Sequence, residues 1–196
     1  GRSAMTQITL PDCITYIDIG AFYECTSLAA VAIPDSVTAI GGVAFSGCSS
    51  LASLTVPNGV TCIDQMAFSG CYSLKSVVIG KGVAEIGYMA FNTYPHIESV
   101  YYAGTFSQWT QIQIDDTNSS LTDGTRYYYS ETEPADNGNY WHYVGGEPTV
   151  WVVSDLPAYS EGLEYEWNGE GYSVTGMGAC TDTAVIIPPT VDGGAT

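Results

Sequence analysis

A solenoid of short parallel strands followed by a β-rich cap is the fold this sequence predicts, and three observations carry that expectation. The dipeptide Ala-Phe recurs at Ala21-Phe22, Ala44-Phe45, Ala67-Phe68 and Ala90-Phe91, a constant step of 23 residues. Apolar positions between these dipeptides repeat in the same register. Charge and aromatic content divide the chain: residues 1–95 hold six acidic and three basic side chains (net −3), residues 96–196 hold fifteen and one (net −14). The second stretch also holds 15 of the 24 aromatics, including all four Trp, so two differently built halves are expected.

Each element of the repeat follows from its residue types. Leu28, Leu51, Leu74 and Ile97 form one ladder, Val31, Leu54, Val77 and Val100 a second, and Ile33, Val56 and Ile79 a third. Equivalent apolar side chains at a fixed step stack when each rung buries its hydrophobic face against its neighbours. Leu28-x-x-Val31-x-Ile33 ends in an alternating strand, and strands of successive rungs pair in parallel about 4.8 Å apart. Pro34 and Pro57 end the strand because proline donates no ladder hydrogen bond. Ile17, Ile40, Ile63 and Ile86 lie five residues before Phe22, Phe45, Phe68 and Phe91. The Ile-x-x-x-Ala-Phe stretch is expected to form the opposite side as a short strand, turn or helical turn. Cys25, Cys48 and Cys71 complete the register, either as a ladder of buried thiols or near enough for a disulfide.

These residues resemble a known family. Ile33-Pro34-Asp35-Ser36-Val37-Thr38-Ala39-Ile40-Gly41, followed by Ala44-Phe45-Ser46-Gly47-Cys48-Ser49-Ser50-Leu51, is similar to the BspA-like, or Treponema-type, leucine-rich repeat of bacterial surface proteins. The likeness is dense over residues 8–102, and it returns in Tyr172–Gly178 and Val185–Gly193 as the opening of a second repeat block. The chain is therefore expected to be part of a longer repeat protein. The resemblance implies a secreted or cell-surface recognition protein that contacts host matrix proteins or other cells. Residues 1–10 carry no export signal, so extracellular placement rests on the resemblance.

Beyond the regular repeats, Ile97 to Leu121 is 24 residues, and Tyr101-Tyr102 and Tyr127-Tyr128-Tyr129 fall in strand positions. Residues 96–130 therefore read as a divergent capping region, since a terminal rung must cover exposed core. Two hairpins follow: Tyr140–Val144 with Thr149–Val153 around Gly145-Gly146-Glu147-Pro148, and Leu163–Trp167 with Tyr172–Met177 around Asn168–Gly171. Thr132–Asn139 is polar and suits a loop or module junction. The expected organisation is a solenoid over 1–102, a divergent rung and hairpin region over 103–160, and a hairpin with the start of a second repeat block over 161–196.

Composition bounds the function. With 45% hydrophobic and 13% charged residues and a net charge of −17, the chain can bury a core, and nucleic acid is excluded as a partner because four scattered cations cannot neutralise a phosphate backbone. No apolar run approaches a membrane span, so direct membrane insertion is not expected. The six cysteines, Cys13, Cys25, Cys48, Cys62, Cys71 and Cys180, include no C-x-x-C pair. The two histidines, His96 and His142, lie outside any metal-ligand or catalytic spacing. Asp115-Asp116-Thr117-Asn118, Asp123-Gly124 and Asp136-Asn137-Gly138-Asn139 are oxygen-rich, fitting either Asx turns or calcium loops, but none matches the EF-hand pattern. No catalytic residue, metal site or cofactor is assigned.

A non-catalytic recognition module is thus expected, with a protein ligand as partner and a glycan as the alternative, or else a rigid spacer of a larger surface enzyme. The outward strand positions Ala30, Ser53, Ser76 and Ser99, with Ala32, Thr55, Val78 and Tyr101, form a small, uncharged concave face. Tyr101, Tyr102, Trp109, Tyr127, Trp141 and Trp151 are the contact candidates, since Tyr and Trp give large rigid area at interfaces. The competing reading places them in the core of the cap.

Overall fold

The computed structural model describes residues 5–132, 134, 138–151, 164–167 and 172–176. Two compact units are present, Gly1–Trp151 and Val152–Thr196. In the first, the chain coils through two rows of strands. It passes β1 (Gln7–Thr9), β2 (Tyr16–Ile17), β3 (Ala30–Ala32), β4 (Ala39–Ile40), β5 (Ser53–Val56), β6 (Cys62–Ile63), β7 (Ser76–Ile79), β8 (Glu85–Ile86) and β9 (Ser99–Tyr102). A divergent rung follows with α1 (Phe106–Trp109), β10 (Gln113–Ile114), α2 (Ser119–Thr122) and β11 (Thr125–Tyr129). The hairpin β12 (Tyr140–Val144) and β13 (Glu147–Val150) completes the unit.

The fold class is the solenoid read from the repeats. β2, β4, β6, β8 and β10 form one parallel sheet, and β5, β7, β9, β11 and β12 form another, with β13 added antiparallel at its edge. β1 pairs in parallel with β3. Pairing steps are 23 residues while the repeat lasts, Ser53 to Ser76 to Ser99, and the divergent rung lengthens the next step to Thr125. The inserted helix α1 takes up the added length. Its N-terminus is closed by a reciprocal cap, in which Thr105 Oγ1 accepts from the Gln108 N–H and Gln108 Oε1 accepts from the Thr105 N–H.

The core runs between the two rows. Phe22, Phe45, Phe68 and Phe91 stack with ring centroids 5.0, 5.2 and 5.2 Å apart, near the spacing of paired strands. Phe45, Phe68 and Phe91 are fully buried, whereas Phe22 on the first rung is half-buried. Cys25, Cys48 and Cys71 are buried free thiols, and the Cys48 and Cys71 thiols donate to the carbonyls of Phe22 and Phe45 at 3.2 and 3.3 Å. The disulfide alternative does not apply to these three.

The corner between the rows is built from backbone. Gly20, Phe22 and Glu24 donate N–H groups to the carbonyls of Gly42, Ala44 and Ser46 at 3.0, 2.7 and 2.8 Å. The next two rungs repeat these bonds, and all four positions Gly20, Val43, Met66 and Met89 are left-handed, at φ 64, 50, 54 and 51°.

The first hairpin has a shorter connection than the sequence reading gave it. Gly145 and Gly146 alone make the turn, at φ 61 and 90°, and Glu147 and Pro148 already belong to β13. Two glycines satisfy a turn that needs positive φ at both central positions, and Pro148 is tolerated because β13 is an edge strand. Val152 and Val153 lie outside the described residues.

In the second unit β14 (Glu164–Trp167) and β15 (Tyr172–Gly176) pair antiparallel with a register shift between Glu164 and Tyr165. Leu163, Asn168–Gly171, Met177, Cys180 and all of the second repeat block read from Tyr172 onward except Tyr172–Gly176 lie outside the described residues, as does Asp136-Asn137.

Candidate functional site

Two features of the first unit position functional side chains: the side-chain cap that ends the corner ladder, and the outer face of the six-stranded sheet.

At the last regular rung three corner N–H groups face no further repeat. Met89, Phe91 and Thr93 donate instead to Thr117 Oγ1, Asn118 Oδ1 and Ser120 Oγ, at 2.7, 2.9 and 3.4 Å. The Asn118 amide donates in turn to the carbonyls of Gly87 and Asp115 at 3.0 and 2.9 Å, and Ser120 Oγ donates to Thr93 O at 2.7 Å. Asn118 is fully buried. Asp115 accepts from the Thr117 hydroxyl and N–H, which holds its carboxyl below the ordinary range. Asp115, Thr117 and Asn118 thus spend side-chain oxygens within the cap, and Asp123 ends α2. Among the described residues no group of three or more His, Cys, Asp or Glu is arranged to hold a metal.

The outer face divides into a smooth strip and an aromatic cluster. Ser53 and Thr55 are exposed, as are Ala30 and Ala32 on β3 of the two-stranded sheet, and Ser76 and Ser99 are half-buried. Val78 departs from the expected accessible row: it is only 4% exposed, so it has little surface to offer a ligand. Next to it in register, Tyr101 begins the cluster. Tyr101 stacks on Tyr127 at 5.3 Å and meets Trp141 at 5.6 Å, and Tyr129 and Tyr143 meet Trp141 at 5.3 and 4.8 Å. Burial first, then the neighbouring Tyr129 and Asp35, hold the Tyr143 hydroxyl proton above the ordinary tyrosine range.

Three of the six contact candidates are core residues. Tyr102 is 1% exposed because it occupies the inward position of Ile33, Val56 and Ile79; adding 23 to 79 would have placed it there from sequence. Trp109 is 5% exposed, edge-on to Tyr102 at 5.2 Å and covered by the Arg126 guanidinium at 4.6 Å from its ring. Trp141 is fully buried, and its Nε1 donates to Tyr102 O at 2.8 Å. Tyr101 and Tyr127 are half-buried within the cluster. Trp151, also half-buried, stacks on His142 at 3.8 Å and donates from Nε1 to Ser130 O at 3.0 Å. Tyr129 and Tyr143, which sequence reasoning left out of the candidates, join the cluster because parallel pairing of β11 with β12 sets Tyr129 opposite Trp141.

Comparison with known proteins bears on the repeat half. A family model described as the BspA type leucine rich repeat region matches residues 1–121 in six copies. No curated protein matches the chain. Among solved structures, a leucine-rich repeat protein from Bacteroides ovatus aligns at 23% identity and a TM-score of 0.47, covering 63% of this chain and 37% of that one. The T. pallidum leucine rich repeat protein aligns at 30% identity and 0.43, covering 52% of this chain and 59% of that one. A leucine rich cell surface protein from Faecalibacterium prausnitzii aligns at 28% and 0.41, covering 71% and 43%. The chain thus spans between 37% and 59% of the lengths of these proteins.

Proposed function

Because the chain belongs to the BspA-type leucine-rich repeat family, we propose that it is a non-catalytic recognition module of a secreted or cell-surface protein, binding a protein partner through the outer face of its six-stranded sheet. One observation carries the reading: exposed Ser53 and Thr55 on β5, with exposed Ala30 and Ala32 on β3 of the two-stranded sheet, leave small uncharged surface on the side that carries the tyrosines around Trp141. Small uncharged side chains let a partner approach the sheet closely, and rigid tyrosines supply contact area at low entropic cost. The five-stranded sheet opposite carries only two-residue strands.

Host matrix or cell-surface proteins are the proposed partner class. Of the stacking platforms Trp109, Trp141 or Trp151 on which a glycan reading rests, Trp109 and Trp141 are buried, and half-buried Trp151 is stacked on His142. No described helix is long and apolar enough to cross a membrane.

The test is capture from a matrix or host-surface extract by the immobilised chain and by its Thr55→Arg variant. A protein retained by the first and lost by the second supports the reading. Retention by both, or capture of glycan alone, contradicts it.

A further inference from the structure

Resting on the recognition reading above, we propose that the tyrosine cluster of the outer face is a cation-binding subsite, which takes an arginine or lysine of an extended basic segment in the partner.

Charge and ring placement both lead there. Residues 96–151 carry eight acidic side chains and one basic, Arg126, which is the sole cation after Lys81. Arg126 does not offset that excess at the outer face. Its guanidinium lies over the Trp109 ring, and Nη2 donates to Thr122 O at 2.8 Å. The stretch that supplies the tyrosines is thus acidic in sum, with Glu98 paired to Lys75 at 3.5 Å.

The rings pack against one another. Trp141 is fixed by its bond to Tyr102 O, and Tyr101, Tyr129 and Tyr143 pack around it at 4.8 to 5.6 Å. Tyr143 remains 47% exposed, leaving ring surface for a ligand. A cation over such rings is attracted by their quadrupole, and the attraction grows as water is excluded. A neutral sugar would gain ring contact from this arrangement but nothing from its charge, and an anionic segment would be repelled.

Fluorescence anisotropy with a labelled eight-residue peptide alternating Arg and Gly, against the full chain, tests the subsite. The same peptide with citrulline for arginine, and cellohexaose as competitor, serve as the neutral probes. Expected are binding of the arginine peptide that weakens with salt, none measurable for the citrulline peptide, and no competition by cellohexaose. Tyr143→Leu and Tyr127→Leu should each weaken binding about tenfold, and Tyr127→Phe less than twofold because the ring is kept. Asp64→Asn, beyond β6, should leave it within about twofold. Circular dichroism of each variant confirms that the fold is retained.

Binding unchanged by the tyrosine substitutions would reduce the effect to diffuse attraction by net charge and overturn the subsite. Equal binding of the citrulline peptide, or displacement by cellohexaose, would overturn it in favour of a neutral ligand. If the captured protein partner depends on Thr55 while the arginine peptide ignores the tyrosines, the recognition reading stands and the cation subsite alone falls.

Discussion

Asn118 Oδ1 accepts the backbone N–H of Phe91 at 2.9 Å, in the place where Phe22, Phe45 and Phe68 each find the carbonyl of the following rung. A side chain thus imitates a missing repeat. The same substitution of side chain for backbone is made by Thr117 toward Met89 and by Ser120 toward Thr93. A solenoid can end there without leaving its corner donors buried and unpaired, which would cost about 1–3 kcal/mol each.

Asn118→Ala leaves the Phe91 N–H without its acceptor and removes a side-chain donor from the Gly87 and Asp115 carbonyls, each of which keeps a backbone N–H. It should lower the unfolding free energy by about 2–4 kcal/mol, read as a drop in the urea midpoint at unchanged slope. Asn118→Asp keeps one acceptor but places a charge in a fully buried site and should be at least as damaging.

The phenylalanine stack should be position-dependent. Phe45→Ala and Phe68→Ala open cavities between two fully buried neighbours or next to one and should cost about 3–5 kcal/mol, whereas half-buried Phe22→Ala should cost about half as much. Equal losses at Phe22 and Phe45 would mean that the first rung is covered as well as the second.

Left-handed residues of the corner set up an unusual contrast. Val43 is β-branched at φ 50°, where Gly20 stands one rung earlier, so Val43→Gly should be close to neutral or stabilising by up to about 1 kcal/mol, against the ordinary cost of introducing glycine. Gly70, at φ 75°, has no neighbour closer than 3.5 Å to an added Cβ, so Gly70→Ala should destabilise by about 1–2 kcal/mol through the backbone alone. Thermal unfolding of the two variants decides.

The thiol ladder makes stability fall in alkali. Burial holds Cys48 near a pKa of about 11 and pushes Cys71 up in the same direction. An unfolded thiol titrates near about 8.5, so between that pH and the folded value the native state binds more protons. The contribution of the neutral thiols is therefore complete below pH about 8.5 and is lost as pH rises toward 11, at up to about 1.4 kcal/mol per pH unit for each thiol. Tyr102 and Tyr143 act with the same sign. Urea midpoints of the parent and of Cys48→Ala/Cys71→Ala across this range should show a shallower pH slope in the variant. Native Cys48 and Cys71 should also label slowly beside exposed Cys13.

The repeat half was legible because one physical constraint, stacking of equivalent side chains, acts identically at every rung. Ala44-Phe45 and Leu51 predict Ala67-Phe68 and Leu74 with no further information. Tyr102 was legible by the same arithmetic. Trp109 and Trp141 were not: each is buried by residues distant in sequence, Arg126 in one case and the tyrosines of β9 and β11 in the other, and no local pattern encodes those meetings. The role of Asn118 was hidden differently. An Asp-Asp-Thr-Asn run reads alike whether its oxygens serve an ion, a turn or the backbone of a neighbouring rung, and only the three-dimensional position of Phe91 decides.

The working face of the module is tested most directly by placing benzoylphenylalanine at Thr55, on the outer strip, and separately at Gln65, beside the five-stranded sheet, and irradiating each with the captured partner. Both positions are exposed, so each probe can reach a bound molecule. A crosslink from position 55 and none from position 65 is expected. A crosslink from 65 alone would place recognition on the other side of the solenoid and contradict it.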